Sequence, residues 1–158
     1  MRSLSSNWGG TSDKPELGQK HWNLLAIPAV VLAVMAVLQI ISFGSFRDWL
    51  DSAGVGWPVV LAVAVIVAEV WGAVSLLQVN MGRAWRWIGL TLAVLVSGFW
   101  FYENITQATN GTITMEPSSG FFGKFLTQAP GWWTVAEISL LFFLVIYSAE
   151  LLGWRRDR

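Results

Sequence analysis

A glutamate inside an apolar segment is the residue of this chain with the clearest potential for chemistry. Glu69 lies within Pro58–Val79, a run of 22 residues that contains no other charged side chain. Such a run crosses a hydrocarbon core of about 30 Å at about 1.5 Å per residue, so Glu69 is predicted near the membrane midplane. An ionised carboxylate there costs at least about 2.5 kcal/mol. We therefore expect Glu69 to be protonated, paired or hydrated, and to face other helices.

Polar residues predicted at a similar depth are the candidate partners of Glu69. Gln39 lies toward the outer end of the first apolar segment, Ser97 near the middle of the third, and Glu137 in the outer part of the fourth. One hypothesis is that these four residues form an intramembrane polar site, which opens outward and carries protons or binds a ligand. The alternative hypothesis is that a protonated or hydrogen-bonded Glu69 orders the helix bundle.

Two tryptophans, Trp71 and Trp100, lie inside apolar segments, whereas most of the 11 tryptophans lie at segment ends. The terminal ones are typical of the aromatic belts at membrane–water interfaces. The two internal rings could stack on a quinone or a pigment, or pack against neighbouring helices and lipid.

Several kinds of chemistry are excluded by residue type. The chain has no cysteine, which excludes thiol catalysis and thiolate-bound clusters. Its single histidine, His21, cannot complete a zinc site or a pair of haem ligands. No phosphate-binding motif or nucleophile–base pair is recognisable. We predict no catalytic residue, no metal site and no cofactor held by this chain's own ligands, so a quinone or a lipid remains the candidate ligand.

The polar residues must be positioned by four apolar segments. Hydrophobic residues make up 54% of the 158 residues and charged residues 13%, which indicates an integral membrane protein. We predict one transmembrane domain over residues 1–158, an all-α four-helix bundle with a polar N-terminal tail at 1–21 and spans at about 22–43, 58–79, 87–102 and 134–152. The third span is the shortest. The bulky fourth span is expected at the periphery or against a partner.

Two local patterns predict how the spans are joined and packed. Small residues repeat every four positions in the second span (Ala64, Ala68, Gly72) and in the third (Gly89, Ala93, Ser97), which favours close contact between these helices. Residues 45–52 predict a short interfacial helix with Phe46, Trp49 and Leu50 on its apolar side.

The distribution of cations predicts the topology. With the N-terminus in the cytoplasm, eight of the 10 Lys and Arg residues lie on the cytoplasmic side, and Arg47 and Lys124 lie outside. This bias follows the positive-inside rule and predicts that both termini are cytoplasmic. The inner cations can bind lipid headgroups but are too scattered to indicate nucleic acid. We predict a multi-pass protein of a prokaryotic inner or plasma membrane.

The stretch from Phe46 to Trp100 resembles the DoxX-like family of membrane proteins, which includes the DoxD and MauE types. The resemblance lies in FRDWLDSAGVGWP followed by LAVAVIVAEVWGAVSLLQVNMGRAWRW, with Glu69, Gly72 and Arg83 at the matching positions. The arginine that such proteins often carry near the cytoplasmic start of span one is replaced here by Lys20 and His21. The resemblance implies a four-helix bundle associated with sulfur or quinone redox complexes, or with maturation of periplasmic enzymes.

Three function classes follow from these observations. The first is a non-catalytic accessory or structural subunit of a larger membrane complex, such as an electron-transfer complex, with other membrane subunits and lipids as partners. The second, implied by the resemblance, is a quinone-linked redox subunit with Glu69 at its site. The third is a small proton-coupled carrier. The lack of a catalytic constellation favours the first class.

Overall fold

A computed structural model of the chain describes residues 19–77, 81–110 and 131–154, and these residues form five α-helices and no strand. The helices are α1 (Gln19–Ile41), α2 (Phe43–Ser52), α3 (Pro58–Leu76), α4 (Arg83–Asn110) and α5 (Trp132–Trp154). All except α2 are long and apolar enough to cross a membrane. The predicted all-α fold with four helices of spanning length is therefore confirmed. Most of the predicted N-terminal tail and residues 111–130 lie outside the described residues.

The third spanning helix is longer than the sequence pattern predicts. The predicted span covers 87–102, whereas α4 has 28 residues and continues to Asn110. Asn104, two residues beyond the predicted span, lies inside this helix and is only 1% exposed. Its side-chain Nδ2 donates a hydrogen bond of 2.8 Å to the carbonyl of Trp100, one turn earlier. Because this amide is turned inward and bonded to its own helix, the polar sequence does not end α4.

The short helix α2 follows α1 after a single residue, Ser42, whose hydroxyl donates to the carbonyl of Leu38 at 2.7 Å. It is amphipathic as predicted, since Phe46 and Leu50 are buried while Arg47 and its neighbour Asp48 are exposed and paired. The buried face, however, packs against protein: α2 contacts α3 and, less extensively, α1.

The connection from α2 to α3 contains two residues in the left-handed backbone region. Gly54 has φ 75° and Trp57 has φ 63°. Glycine adopts this conformation freely, whereas a bulky residue does so at a cost of about 1–3 kcal/mol. Pro58 then begins α3, where its missing N–H would have no partner in the helix.

Small residues set the closest helix contacts in the bundle. The helix α3 packs between α1 and α4, and α4 packs between α3 and α5. A Cβ atom placed on Gly72 would lie 2.8 Å from the Cβ of Ala93, and Gly89 lies directly against Ser75. The predicted contact of the second and third spans through small residues is confirmed. Ala64 is the exception, since it is exposed and takes no part in the contact.

The helix α5 is integrated more closely than its bulky sequence suggested. It packs against α4 as extensively as α3 does and also contacts α1, with Ile138, Leu141 and Val145 buried. Its opposite side exposes Leu140, Phe143 and Tyr147. Similar exposed apolar side chains occur on the other spanning helices, as expected for surfaces that face lipid.

Candidate functional site

Glu69 is held in the interior of the bundle by the periodicity of α3. It is 0% exposed, and Val65, Gly72, Ala73 and Leu76 on the same face are also buried. The predicted inward orientation is therefore confirmed. At about 1.5 Å per residue, Glu69 lies about 16 Å from the first residue of α3 and about 10 Å from the last. The carboxyl group is thus far from both ends of its own helix.

Two side chains from two other helices donate hydrogen bonds to Glu69. Gln39 Nε2 on α1 lies 3.1 Å from Glu69 Oε1, and Trp100 Nε1 on α4 lies 2.8 Å from the same oxygen. The second carboxyl oxygen, Oε2, is buried and has no hydrogen-bond partner within the described part of the chain. Glu69 consequently links α1, α3 and α4 through a single oxygen atom.

Trp100 is the largest fully buried side chain of the described residues, and its indole is surrounded by other aromatic rings. The ring centroids of Phe46 and Trp49 on α2 lie 5.9 and 5.5 Å from that of Trp100, and the Phe99 centroid lies 5.4 Å away in an edge-on arrangement. These distances are typical of favourable aromatic pairs. The indole therefore stacks on protein rings, and α2 is connected through it to Glu69.

The remaining residues of the predicted site do not bond to Glu69. Ser97 is buried, but its hydroxyl donates to the carbonyls of Ala93 and Val94 on its own helix, at 2.8 and 3.1 Å. Glu137 is exposed on α5. The structure thus brings Gln39 to Glu69, leaves Ser97 bonded to its own backbone, and puts Glu137 on the bundle surface.

Trp71 has a local partner near the connection between α3 and α4. Its Nε1 donates to the carbonyl of Trp85 at 3.2 Å, and the two ring centroids lie 5.2 Å apart. Trp85 is 55% exposed and lies close to the start of α4. This pair connects the end of α3 to the beginning of α4.

Two functional features were not predicted from the sequence. Trp100 was expected to stack, but not to donate a hydrogen bond to Glu69. Asn104 lies beyond the predicted third span, yet its Oδ1, like Oε2 of Glu69, is a buried oxygen without a hydrogen-bond partner among the described residues. The signal that could have identified both is their spacing with Ser97 at i, i+3 and i+7, which places all three on one face of α4.

Within residues 19–77, 81–110 and 131–154, no group of three or more His, Cys, Asp or Glu side chains could hold a metal ion. No known protein family, curated protein or solved structure matches this chain. The resemblance to the DoxX-like family therefore stays a prediction. What the site can do chemically is limited to accepting hydrogen bonds at Oε1 and holding a proton or a hydrogen-bonded molecule at Oε2.

Proposed function

We propose that this protein is a non-catalytic subunit of a larger membrane complex, with its termini in the cytoplasm. The observation that carries the proposal is the bonding of Glu69, the charged residue inside the apolar helix α3. Glu69 is fully buried and bonded by Gln39 and Trp100, so it ties three helices together. Interhelical hydrogen bonds of this kind contribute about 0.6 kcal/mol each on average and up to about 1.7 kcal/mol in membranes. A glutamate that is fully buried and bonded to two other helices suits a structural role.

The outward side of α5 is where we expect a partner to bind. Leu140, Phe143 and Tyr147 follow one another at i, i+3 and i+7 and are 63%, 64% and 45% exposed. Large side chains at this spacing form one stripe along the helix. Such a stripe can face lipid or a neighbouring subunit, and the proposal requires the latter.

The test is purification of the tagged full-length chain from its native membranes in mild detergent, followed by mass spectrometry and an absorption spectrum. We expect stoichiometric partner subunits, and haem or flavin absorbance if the complex transfers electrons. The double variant Leu140→Ala/Phe143→Ala should lose the partner. Its matched control is Val34→Ala/Val37→Ala, on an exposed stretch of α1. A chain that elutes alone from native membranes would contradict the proposal.

A quinone-linked redox role at Glu69 is the second candidate. It is favoured by the buried Oε2, which has no hydrogen-bond partner in the described structure and could bond to a carbonyl group. Stacking of a quinone on Trp100 is disfavoured, because its indole is 0% exposed and already contacts three other aromatic rings, those of Phe46, Trp49 and Phe99. Solvent extraction of the purified wild-type and Glu69→Gln proteins distinguishes the two candidate functions. A quinone that is bound to wild type and absent from Glu69→Gln would favour the redox role.

A further inference from the structure

The two hydrogen bonds to Glu69 indicate where its proton lies. Gln39 Nε2 and Trp100 Nε1 are both N–H donors, and both point to Oε1. A neutral carboxylic acid has one carbonyl oxygen, which accepts hydrogen bonds, and one hydroxyl oxygen, which carries the proton. A carboxylate would use both oxygens as acceptors. The arrangement, with two donors on Oε1 and none on Oε2, therefore matches a neutral acid with its proton on Oε2.

The described charged side chains around Glu69 do not form the ion pair that a buried carboxylate would need. Among the side chains that the structure describes, the charged ones on neighbouring helices are Arg47, Asp48 and Asp51 on α2, Arg86 and Glu103 on α4, and Glu137 and Glu150 on α5. None of them bonds to Glu69, whose hydrogen bonds come from Gln39 and Trp100. Arg47 is paired with Asp48 on the exposed side of α2. Among the described side chains, an ionised Glu69 would thus have no cation bonded to it, and a buried charge of this kind is strongly unfavourable.

The route by which a proton reaches Glu69 is constrained by the packing on either side. Toward the inner end, one turn from Glu69, α3 and α4 touch so closely at Gly72 and Ala93 that a single added methyl group would collide. Toward the outer end lie the polar side chains of Gln39 and Asn104, and Asn104 bonds to the carbonyl of Trp100. Polar groups can support a proton or a water molecule, whereas tight apolar contact excludes both.

The short helix α2 covers this outer side. Phe46 and Trp49 pack on the same indole that donates to Glu69. The helix is joined to α1 through Ser42 and to α3 through a turn that contains Gly54, so it is held by short non-helical segments at both ends. Movement of α2 away from Trp100 would expose the polar side of Glu69 without separating α3 from α4.

The geometry points to Glu69 as a proton-binding site: a neutral carboxylic acid with its proton on Oε2, which exchanges with water when α2 moves away from Trp100. This inference goes beyond a structural subunit role and does not depend on any partner. A protonated Glu69 keeps both hydrogen bonds at Oε1, so the same group ties the helices and holds an exchangeable proton.

Infrared difference spectroscopy of the full-length protein in lipid vesicles tests the site directly. The wild-type protein should show the carbonyl band of a protonated carboxylic acid at neutral pH, and the band should shift in D₂O. Glu69→Gln should remove it, while Glu103→Gln and Glu137→Gln, as controls, should retain it. A wild-type spectrum identical in this region to that of Glu69→Gln would overturn the inference, because Glu69 would then be ionised.

Exchange kinetics test the role of α2. Trp49→Ala should speed the shift of the Glu69 band in D₂O by about two- to tenfold, because exchange scales with the equilibrium constant for local opening and the ring pair favours closure. Leu95→Ala, at a position on α4 that is 62% exposed, is the control and should leave the rate unchanged. Equal rates in wild type and Trp49→Ala would overturn the assignment of α2 as the cover.

A chemical probe keeps the inference testable if Glu69→Gln fails to fold. Dicyclohexylcarbodiimide adds to protonated carboxyl groups in apolar surroundings: the acid oxygen bonds to the carbodiimide carbon, the acid proton moves to nitrogen, and the product rearranges to an N-acylurea without loss of atoms. Peptide mapping of the wild-type protein should locate the adduct on Glu69. Labelling of other carboxyl groups with Glu69 unmodified, even after Trp49→Ala, would contradict the inference. The outcome is independent of whether partner subunits co-purify.

Discussion

The contact between α3 and α4 predicts that Gly72→Ala destabilises the bundle. The added Cβ would lie 2.8 Å from the Cβ of Ala93 and 3.1 Å from its Cα. Since non-bonded carbon atoms prefer separations of about 3.5–4.0 Å, the two helices must move apart by about 1 Å at this point. Overpacking of this kind costs about 1–3 kcal/mol. The loss is expected although alanine favours a helix over glycine by up to about 1 kcal/mol.

Gly44→Ala is the matched control, because nothing lies within 4 Å of a Cβ placed on Gly44 in α2. It introduces the same change of side chain without the collision. The free energy of unfolding is measured by titration with SDS in mixed micelles, followed by tryptophan fluorescence. We expect Gly72→Ala to be less stable than wild type by about 1–3 kcal/mol and Gly44→Ala to be at least as stable as wild type.

A second substitution separates the collision from other effects of Gly72→Ala. Ala93→Gly removes the Cβ that the new methyl group meets, so the double variant should recover part of the lost stability. Recovery is incomplete because the Ala93 Cα still lies 3.1 Å from the new atom. If Gly72→Ala and Gly44→Ala change the stability equally, the close contact of α3 and α4 is not what holds these helices together, and the reasoning is refuted.

The remaining predictions concern the other contacts and the topology. Glu69→Leu should lower the free energy of unfolding by about 1–3 kcal/mol, because two interhelical hydrogen bonds are lost. Glu69→Gln should lower it by less than about 1 kcal/mol, because the amide oxygen of glutamine still accepts hydrogen bonds. A leucine variant that is as stable as wild type in the same SDS titration would contradict this prediction. Phe46→Ala, at a position that is 1% exposed, should lower the free energy of unfolding by about 3–5 kcal/mol. Phe143→Ala, at a position that is 64% exposed, should lower it by less than about 0.5 kcal/mol. Equal losses of stability in the two variants would argue against packing of α2 on the bundle. Protease-sensitive tags inserted after Asn110 and at the C-terminus should report opposite sides of sealed vesicles, and both tags on one side would refute the four-span topology.

Several features of the site were predictable because they depend on patterns that repeat locally along the chain. The apolar run around Glu69 predicts a spanning helix, and helical spacing with Gly72, Ala73 and Leu76 predicts that the carboxyl group faces inward. Depth in the membrane, counted at about 1.5 Å per residue, identified Gln39 as a candidate partner, and the two are hydrogen-bonded.

Only the tertiary structure decided which neighbours reach Glu69, because this depends on helix register and on the length and direction of each side chain. Ser97 was predicted as a partner from its depth, but its short hydroxyl bonds to its own helix, while the longer indole of Trp100, one turn further along, reaches the carboxyl group. The packing of α2 is decided in the same way, since an amphipathic sequence marks its apolar face but not what that face meets. Residue types and their spacing determined the spanning helices and their inward faces; the contacts among those helices determined that Glu69 is bonded at one oxygen and covered by α2.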